Sequence, residues 1–357
     1  MILLTALLLT ALEVHGLVGQ DGISVQGTPA LTHHGGTLFL ATSGTFPRGE
    51  AWVFRFQGMG LAQSSRGSLP GTFAGVQVVT PETWFPETLL LWQRETLASG
   101  AWHQDQVWAT VQEASVEFRQ GALSWELGRF PVALGLNPWF SVLDPFRLQP
   151  RLGPFLGYSG VDGVQWTLRT ASTETRAFWI PARLDTLRGG LVSRWYLAGM
   201  DLVGQVLWTH HEMHGGLGIQ GNLLEGVLRV EGNVLRDLRG EEGSSGADHH
   251  LAVQISYSRT WAPGTGEVLF LLSDDDRYLP SPSDDTYRWM FLWTTEQERW
   301  GGFVGLDFGR WTRSMAAEVH YWLTPSVRVG AQGAYGRWAS APPVRWTHAS
   351  LVFSWYP

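Results

Sequence analysis

Between Glu113 and Arg129 the chain reads EASVEFRQGALSWELGR, and apolar and polar residues alternate on both sides of a Gln120-Gly121 turn. Successive side chains of a strand point to opposite faces. Val116, Phe118, Leu123, Trp125 and Leu127 therefore share one face, and Glu117, Arg119, Ser124 and Glu126 share the other. The pattern recurs along the chain without a helical segment between its copies, flanked by Trp or Tyr. After the first twelve residues no apolar run approaches the roughly 18 to 20 residues of a spanning helix, which excludes helical membrane insertion.

The 357 residues include 43 Gly, 20 Trp and 17 Phe, with 16% charged residues, a profile of strand formers, turn formers and interfacial aromatics. Mean hydropathy is −0.06, which suits a barrel as well as a soluble protein because only alternate residues of a barrel meet lipid. Aromatics at this density fit girdles at two bilayer interfaces; sugar stacking in a lectin is the other use for them. There is no cysteine, which removes disulfide frameworks, thiolate zinc sites and cysteine nucleophiles. All 25 basic residues are Arg, and a net charge of −7 leaves no footprint for nucleic acid.

The first segment, MILLTALLLTALEVHG, carries an apolar core from Ile2 to Leu12, too short to span and suited to a secretion signal. Residues 1–16 are expected to be a signal peptide, with Val14 and Gly16 at −3 and −1 of the cleavage site, although no basic residue precedes the core. A buried first helix or strand is the alternative. Residues 17–357 then form one domain, since no composition shift, heptad or repeat divides them.

From Gly22 onward, segments of about 8 to 13 residues with period-two character are separated by Gly, Pro, Ser and Asp clusters. Thr37 to Gly44 and Ala51 to Gly58 read as strands, and Ser64 to Gly71 and Pro81 to Pro86 as loops. Clearer segments place Val164, Trp166 and Leu168 opposite Gln165, Thr167 and Arg169, then Leu228, Val230 and Val234 opposite Arg229, Glu231 and Asn233. Leu251, Val253, Ile255 and Tyr257 form another apolar face, and three segments near the end continue the meander through a turn at Thr324-Pro325. Long polar insertions at Asp237 to Asp248 and Ser273 to Tyr287 alternate with short turns, as extracellular loops alternate with periplasmic turns. The expected fold is all-β: a single closed antiparallel transmembrane β-barrel, an up-and-down meander of about 16 strands with 14 to 18 as the range. Closure removes the sheet edges that so long a β chain must otherwise protect.

Leu351, Phe353 and Trp355 alternate on one face of the last segment, which resembles the C-terminal assembly signal of Gram-negative outer-membrane proteins, although Pro357 stands where that family usually ends on an aromatic. Gly128-Arg129, Gly135, Asn137-Pro138, Asp144-Pro145 and Gly160-Val161-Asp162-Gly163 resemble a pattern of alginate-export-type and related porin-like barrels over about 60 residues. Phe130 and Leu134-Gly135 replace that family's Gln and Trp-Gly. The resemblance implies a porin-like barrel in the outer membrane of a diderm bacterium.

Asn137 to Pro154 is a long Pro- and aromatic-rich loop at a strand end, able to fold into the lumen and narrow a pore. Arg129, Asp144, Arg147, Arg151 and Asp162 are then its charged lining, or else an Arg-Asp brace that holds the loop in place. Lumen charges elsewhere are expected at Glu117, Arg119, Glu126, Arg229, Glu231, Glu318 and Arg328, with neither sign dominant and so no ion selectivity assigned.

Metal sites and cofactors are not expected. His33-His34, His210-His211-Glu212-Met213-His214 and His249-His250 lack zinc-protease spacing, because Gly215 stands where a second ligand to pair with His211 would be needed. Asp274-Asp275-Asp276 with Asp284-Asp285 lacks the spacing of a calcium loop. Two strand pairs, His320 with Glu318 and His348 with Ser350, share a face by i,i+2 spacing but resemble no barrel enzyme family, and no enzymatic activity is expected. The function expected is a porin-like channel for passage or export of small solutes, embedded in outer-membrane lipid. The alternatives are a non-conducting barrel that binds an envelope protein partner, and, more distantly, a secreted lectin-like sandwich.

Overall fold

The structure is a computed structural model and describes residues 12–25, 28–48, 51–67, 72–73, 76–77, 89–98, 101–132, 134–137, 141–144, 160–181, 188–238, 249–274, 287–309, 312–338 and 344–355. The first strands are β1 (Leu12–Val25), β2 (Thr28–Arg48), β3 (Trp52–Gly67), β4 (Thr72–Phe73), β5 (Val76–Gln77), β6 (Leu89–Ala98) and β7 (Ala101–Gln120). Next come β8 (Leu123–Pro131), β9 (Gly160–Arg169), β10 (Thr173–Trp179), β11 (Gly189–Leu197), β12 (Met200–Trp208), β13 (Glu212–Leu223) and β14 (Gly226–Asp237). The chain ends with β15 (His249–Trp261), β16 (Gly264–Ser273), β17 (Tyr287–Glu296), β18 (Trp300–Gly309), β19 (Thr312–Thr324), β20 (Val327–Trp338) and β21 (Val344–Trp355).

Among the described residues, β1, β2, β3 and β7 through β21 form one ring of eighteen strands, each antiparallel to both neighbours. The ring closes where β1 pairs with β21, in register from Val14 opposite Trp355 to Val25 opposite Val344. The ring therefore lies at the upper end of the expected 14 to 18. Strand β6 lies outside it, paired with β7 from Ala101 to Ala109, while β8 pairs with β7 from Ala114 to Gln120. Ser64 to Gly67 belong to β3 and not to a loop, because ladders to β2 and β7 on both edges hold this polar stretch extended. Pro81 to Pro86 lie outside the described residues.

The long connections all lie at one end. At the opposite end, tight turns follow β7, β11, β13, β15 and β19. Ala198 and Gly199, at φ 51° and 82°, make the two-residue turn whose twist matches a hairpin. At the other end run the connections from β8 to β9, β14 to β15 and β16 to β17, which include the two polar insertions anticipated from sequence.

Alternation decides the two faces. In β17, Tyr287, Trp289, Phe291 and Trp293 are exposed outside, with Arg288, Met290, Leu292 and Thr294 inside. In β13, Leu217 is 72% exposed on the outer face, while His214 is buried on the inner one. An exterior of this kind has no favourable contact with water and fits hydrocarbon. Exposed Trp52, Trp125, Trp195, Trp261 and Trp300 gather at the tight-turn end, and Trp179, Trp208, Trp289 and Phe308 at the long-loop end. These are the two girdles that amphipathic rings occupy at bilayer interfaces.

The outer face yields a direct expectation. Leu217→Arg, in the middle of β13, should cost roughly 2–4 kcal/mol of folding stability in lipid vesicles, the penalty of a cation near the midplane. Equilibrium urea unfolding in vesicles measures it, and a loss no larger than that of Leu217→Ala would show that this face does not meet lipid.

Candidate functional site

Pro131 ends β8, and the chain then turns into the barrel as a strap, described at residues 134–137 and 141–144. Its apolar residues explain the direction. Leu134, Val142 and Leu143 are 3%, 0% and 0% exposed. Leu134 and Leu143 pack with Phe178, Ile180, Val192, Val203 and Leu207 on the wall of β10 to β12. Val142 packs with Ala252, Leu269 and Leu271 on β15 and β16, with Met290 of β17 alongside. Two patches of apolar lumen wall thus exist because the strap covers them.

The strap's polar groups are taken up by wall side chains far away in sequence. Glu231 Oε1 accepts the backbone N–H groups of Leu136 at 2.8 Å and Asn137 at 3.2 Å, and Glu231 Oε2 accepts the Ser141 hydroxyl at 2.5 Å. Asn137 Nδ2 donates to Ser256 Oγ at 3.0 Å and Glu267 Oε1 at 2.5 Å, while Gln205 Nε2 donates to the Leu143 carbonyl at 2.5 Å. Asp144 closes the loop on itself by accepting the Leu134 N–H at 3.3 Å. Charge-assisted bonds in a water-poor interior are among the stronger ones, and removing one partner leaves the other costly to bury.

The strap approaches the wall closely at two glycines. A Cβ on Gly218 would stand 2.8 Å from side-chain carbons of both Leu136 and Leu143, and one on Gly216 would stand 2.7 Å from Leu143. The inner face of β13 is bare where the strap crosses it.

Below the strap, toward the tight turns, lies a charged cavity of 210 Å³ lined by Arg55, Glu113, Glu117, Glu126, Gln165, Thr167, Arg169 and Arg176, with Pro131. Arg55 is its hub, bonded to Glu117, to Glu126 at 2.8 Å and facing Glu113 at 3.9 Å. Arg119 reaches Glu117 at 2.8 Å, and Glu174 receives both Arg169 at 2.8 Å and Arg176 at 2.5 Å. Across the lumen, His320 stands between Glu318 at 3.2 Å and Glu296 at 3.1 Å, with Arg328 4.0 Å from Glu318. Arg288 pairs with Asp307.

Of the residues singled out from sequence, Glu117, Glu126, Glu231, Glu318 and Arg328 are buried or half-buried on the inner face, and Arg119 is exposed beside the tight turn. Arg229 bonds Ser258 at 3.0 Å and Gln220 at 3.2 Å. Arg129 and Asp162 come together at 2.9 Å, but on the face they share with Trp125, Leu127, Trp166 and Leu168. Arg129 also donates to the Val111 carbonyl at 3.1 Å, in the stretch of β7 between its pairings to β6 and β8. This pair braces the wall where β8 leaves it. Asp144 is inside the strap, and Arg147 and Arg151 lie outside the described residues. Arg55, Gln205, Ser256, Glu267 and Glu296 were not singled out from sequence. Parity marks Gln205, Ser256 and Glu267 as inward, but nothing local links them to a loop 62 to 130 residues away.

His214 stands 3.5 Å from Glu212, and His250 3.8 Å from Asp274. Among the described residues, no three His, Asp or Glu side chains meet in a geometry able to hold a metal ion. The side chains of His33, His34, His348 and Ser350 lie outside the described ones.

The missing cysteine makes the strap easy to probe. Leu143→Cys alone should resist a charged maleimide in folded protein. Adding Gly218→Leu, which takes the strap's place on β13, should make that thiol label at the rate of an exposed one. Unchanged labelling would mean that the strap is not seated on Gly218.

No protein-family profile and no curated protein sequence matches the chain. Solved structures do. OccK2 (OpdF) of Pseudomonas aeruginosa is 11% identical with a TM-score of 0.60, over 97% of each chain. OccAB1 of Acinetobacter baumannii is 10% identical at 0.56, over 97% of this chain and 96% of its own. OpdK of Pseudomonas aeruginosa, solved with vanillate, is 10% identical at 0.53, over 97% of this chain and 98% of its own. At such identities the likeness establishes the fold, and this chain shares its barrel architecture with those proteins over 97% of its length.

Proposed function

We propose that the chain is an outer-membrane channel through which small solutes diffuse, narrowed by the strap between Leu134 and Asp144. The observation that carries this reading is the strap's seat inside the barrel on Glu231, Glu267 and Gln205, where a loop serving only to cap the wall would have no reason to sit. The apolar exterior with its two girdles supports the membrane, and the structural neighbours, which are outer-membrane porins of Gram-negative bacteria, support that location. Passage breaks no bond, and we assign the chain no reaction. The lumen carries both signs in near balance, so the solute class is left at small polar molecules of either charge. OpdK holds vanillate in its own structure; nothing in the paired arginines of this lumen singles out a carboxylate.

Single-channel recording in planar bilayers tests the proposal. The native chain should give small steps above a detergent control, and deletion of residues 137–154 should give larger ones. A silent native chain that conducts only after the deletion would replace the channel with a plugged barrel serving as a scaffold. Silence in both would remove conduction altogether.

A cleaved leader of residues 1–16 belongs to the same proposal. Strand β1 starts at Leu12, so cleavage after Gly16 leaves Leu17 to Val25 to close the ring against β21. Mass spectrometry of the protein from outer membranes is expected to find Leu17 at its N-terminus, and an intact Met1 would rule the leader out.

A further inference from the structure

Arg313 of β19, Arg337 of β20 and Arg345 of β21 stand directly opposite one another across three adjacent strands. All three are exposed, and no carboxylate pairs with them among the described residues. Parity puts them on the exterior. Met315 and Val319 in β19, Tyr335 in β20, and Leu351 and Phe353 in β21 alternate on the same side and are exposed, whereas Glu318, His320, Gln332 and Ser354 are buried on the other. The row lies at the long-loop end of these strands, away from the turn after β19, and Phe308 of β18 stands opposite Arg313.

Neighbouring strands are about 4.8 Å apart, so three guanidinium side chains start within roughly 10 Å of one another. Like charges directly opposite across a ladder are destabilising. Here two such contacts follow in series. Arg55, Arg129, Arg176 and Arg288 each stand against an acid, whereas three adjacent arginines with no acid among the described residues call for an anion from outside the chain. At the edge of an apolar exterior the available anions belong to lipid headgroups, and guanidinium forks fit phosphate oxygens in bidentate fashion.

We propose that this row binds the phosphorylated headgroup of an outer-leaflet lipid, whose acyl chains lie along Met315, Val319, Leu351 and Phe353. The proposal rests on the membrane-spanning reading and is independent of conduction.

The test uses the full chain purified in a non-ionic detergent and titrated with diphosphorylated lipid A, binding being followed by native mass spectrometry. Against the unaltered chain, the triple variant Arg313→Gln, Arg337→Gln, Arg345→Gln should bind roughly 100-fold more weakly, and Arg337→Gln alone about fivefold, from the usual worth of one surface cation near an anionic leaflet. Heat-modifiable gel migration shows that each variant is folded, and the single variant keeps the test alive should the triple one fail to fold. Dephosphorylated lipid A should bind the unaltered chain as weakly as lipid A binds the triple variant. Equal binding of lipid A by both chains, or equal binding of the dephosphorylated lipid, would overturn the proposal. So would full competition by an equimolar amount of inorganic phosphate, which would make the row a site for the free anion. Loss of conduction in the bilayer experiment leaves these outcomes unaffected.

Discussion

A backbone N–H or C=O left unpaired in hydrocarbon costs several kcal/mol, so a chain that crosses a membrane in strands must give every strand two neighbours. The ladder between β1 and β21 meets that requirement here. It joins the two ends of the chain, and without it both would be unprotected edges. Everything else follows from closure. A closed ring has one face for lipid and one for its interior, so each strand must alternate. Eighteen strands also enclose more space than their own side chains fill, since barrels of about eight strands are already just wide enough for side chains alone. The remaining space is what the strap enters.

The strap shows how a loop without regular structure can be held inside such a space. Buried backbone polar groups must find partners, and one carboxylate serves both limbs of the loop: Glu231 takes the N–H groups of Leu136 and Asn137 on one side and the Ser141 hydroxyl on the other. Glu231 is 1% exposed. An isolated carboxylate buried to that degree would be strongly disfavoured, and its bonds to three donors are what make the position tenable. The apolar residues fix where the strap sits and Glu231 fixes how it is folded. Bare glycines on β13 leave room for the two to come together, since a Cβ at Gly216 or Gly218 would displace the Leu143 methyl groups.

How much of this was legible in sequence depends on the range of the interaction. Alternation is local, so the faces of β8, β9, β14 and β15 could be read directly, as could the girdles and the two ends of the barrel. The strand number is less local. Allowing about 20 residues per strand with its connection points to 16, but β8, β10, β11 and β12 have only 9, 7, 9 and 9 residues and are joined in part by tight turns, so the same length holds more strands. The site was legible only in halves. Proline, glycine and aromatics marked the strap, and parity marked Glu231 as inward. What joins them is a contact across about 90 residues that no local pattern encodes. Arg129 teaches the converse. It shares parity with Trp125 and Leu127, so the rule that puts Glu126 inside puts Arg129 outside, whereas its place in the Gly-Arg motif had tied it to the loop.

The strap's position also constrains what the proposed channel can discriminate. Among the described residues its wall contacts fall on β9 to β17, so a solute would pass between the strap and the remaining wall. The charges nearest that route are not a ring of one sign. Arg55 is held by Glu117 and Glu126, and Arg288 by Asp307, while Glu318 stands with His320 and Arg328. Paired charges of opposite sign cancel at distances beyond the Debye length of roughly 8 Å at physiological salt, so they exert little long-range pull on an approaching ion. Their effect is confined to contact. Discrimination in such a lumen would then come from the width the strap leaves and from hydrogen bonds made one group at a time.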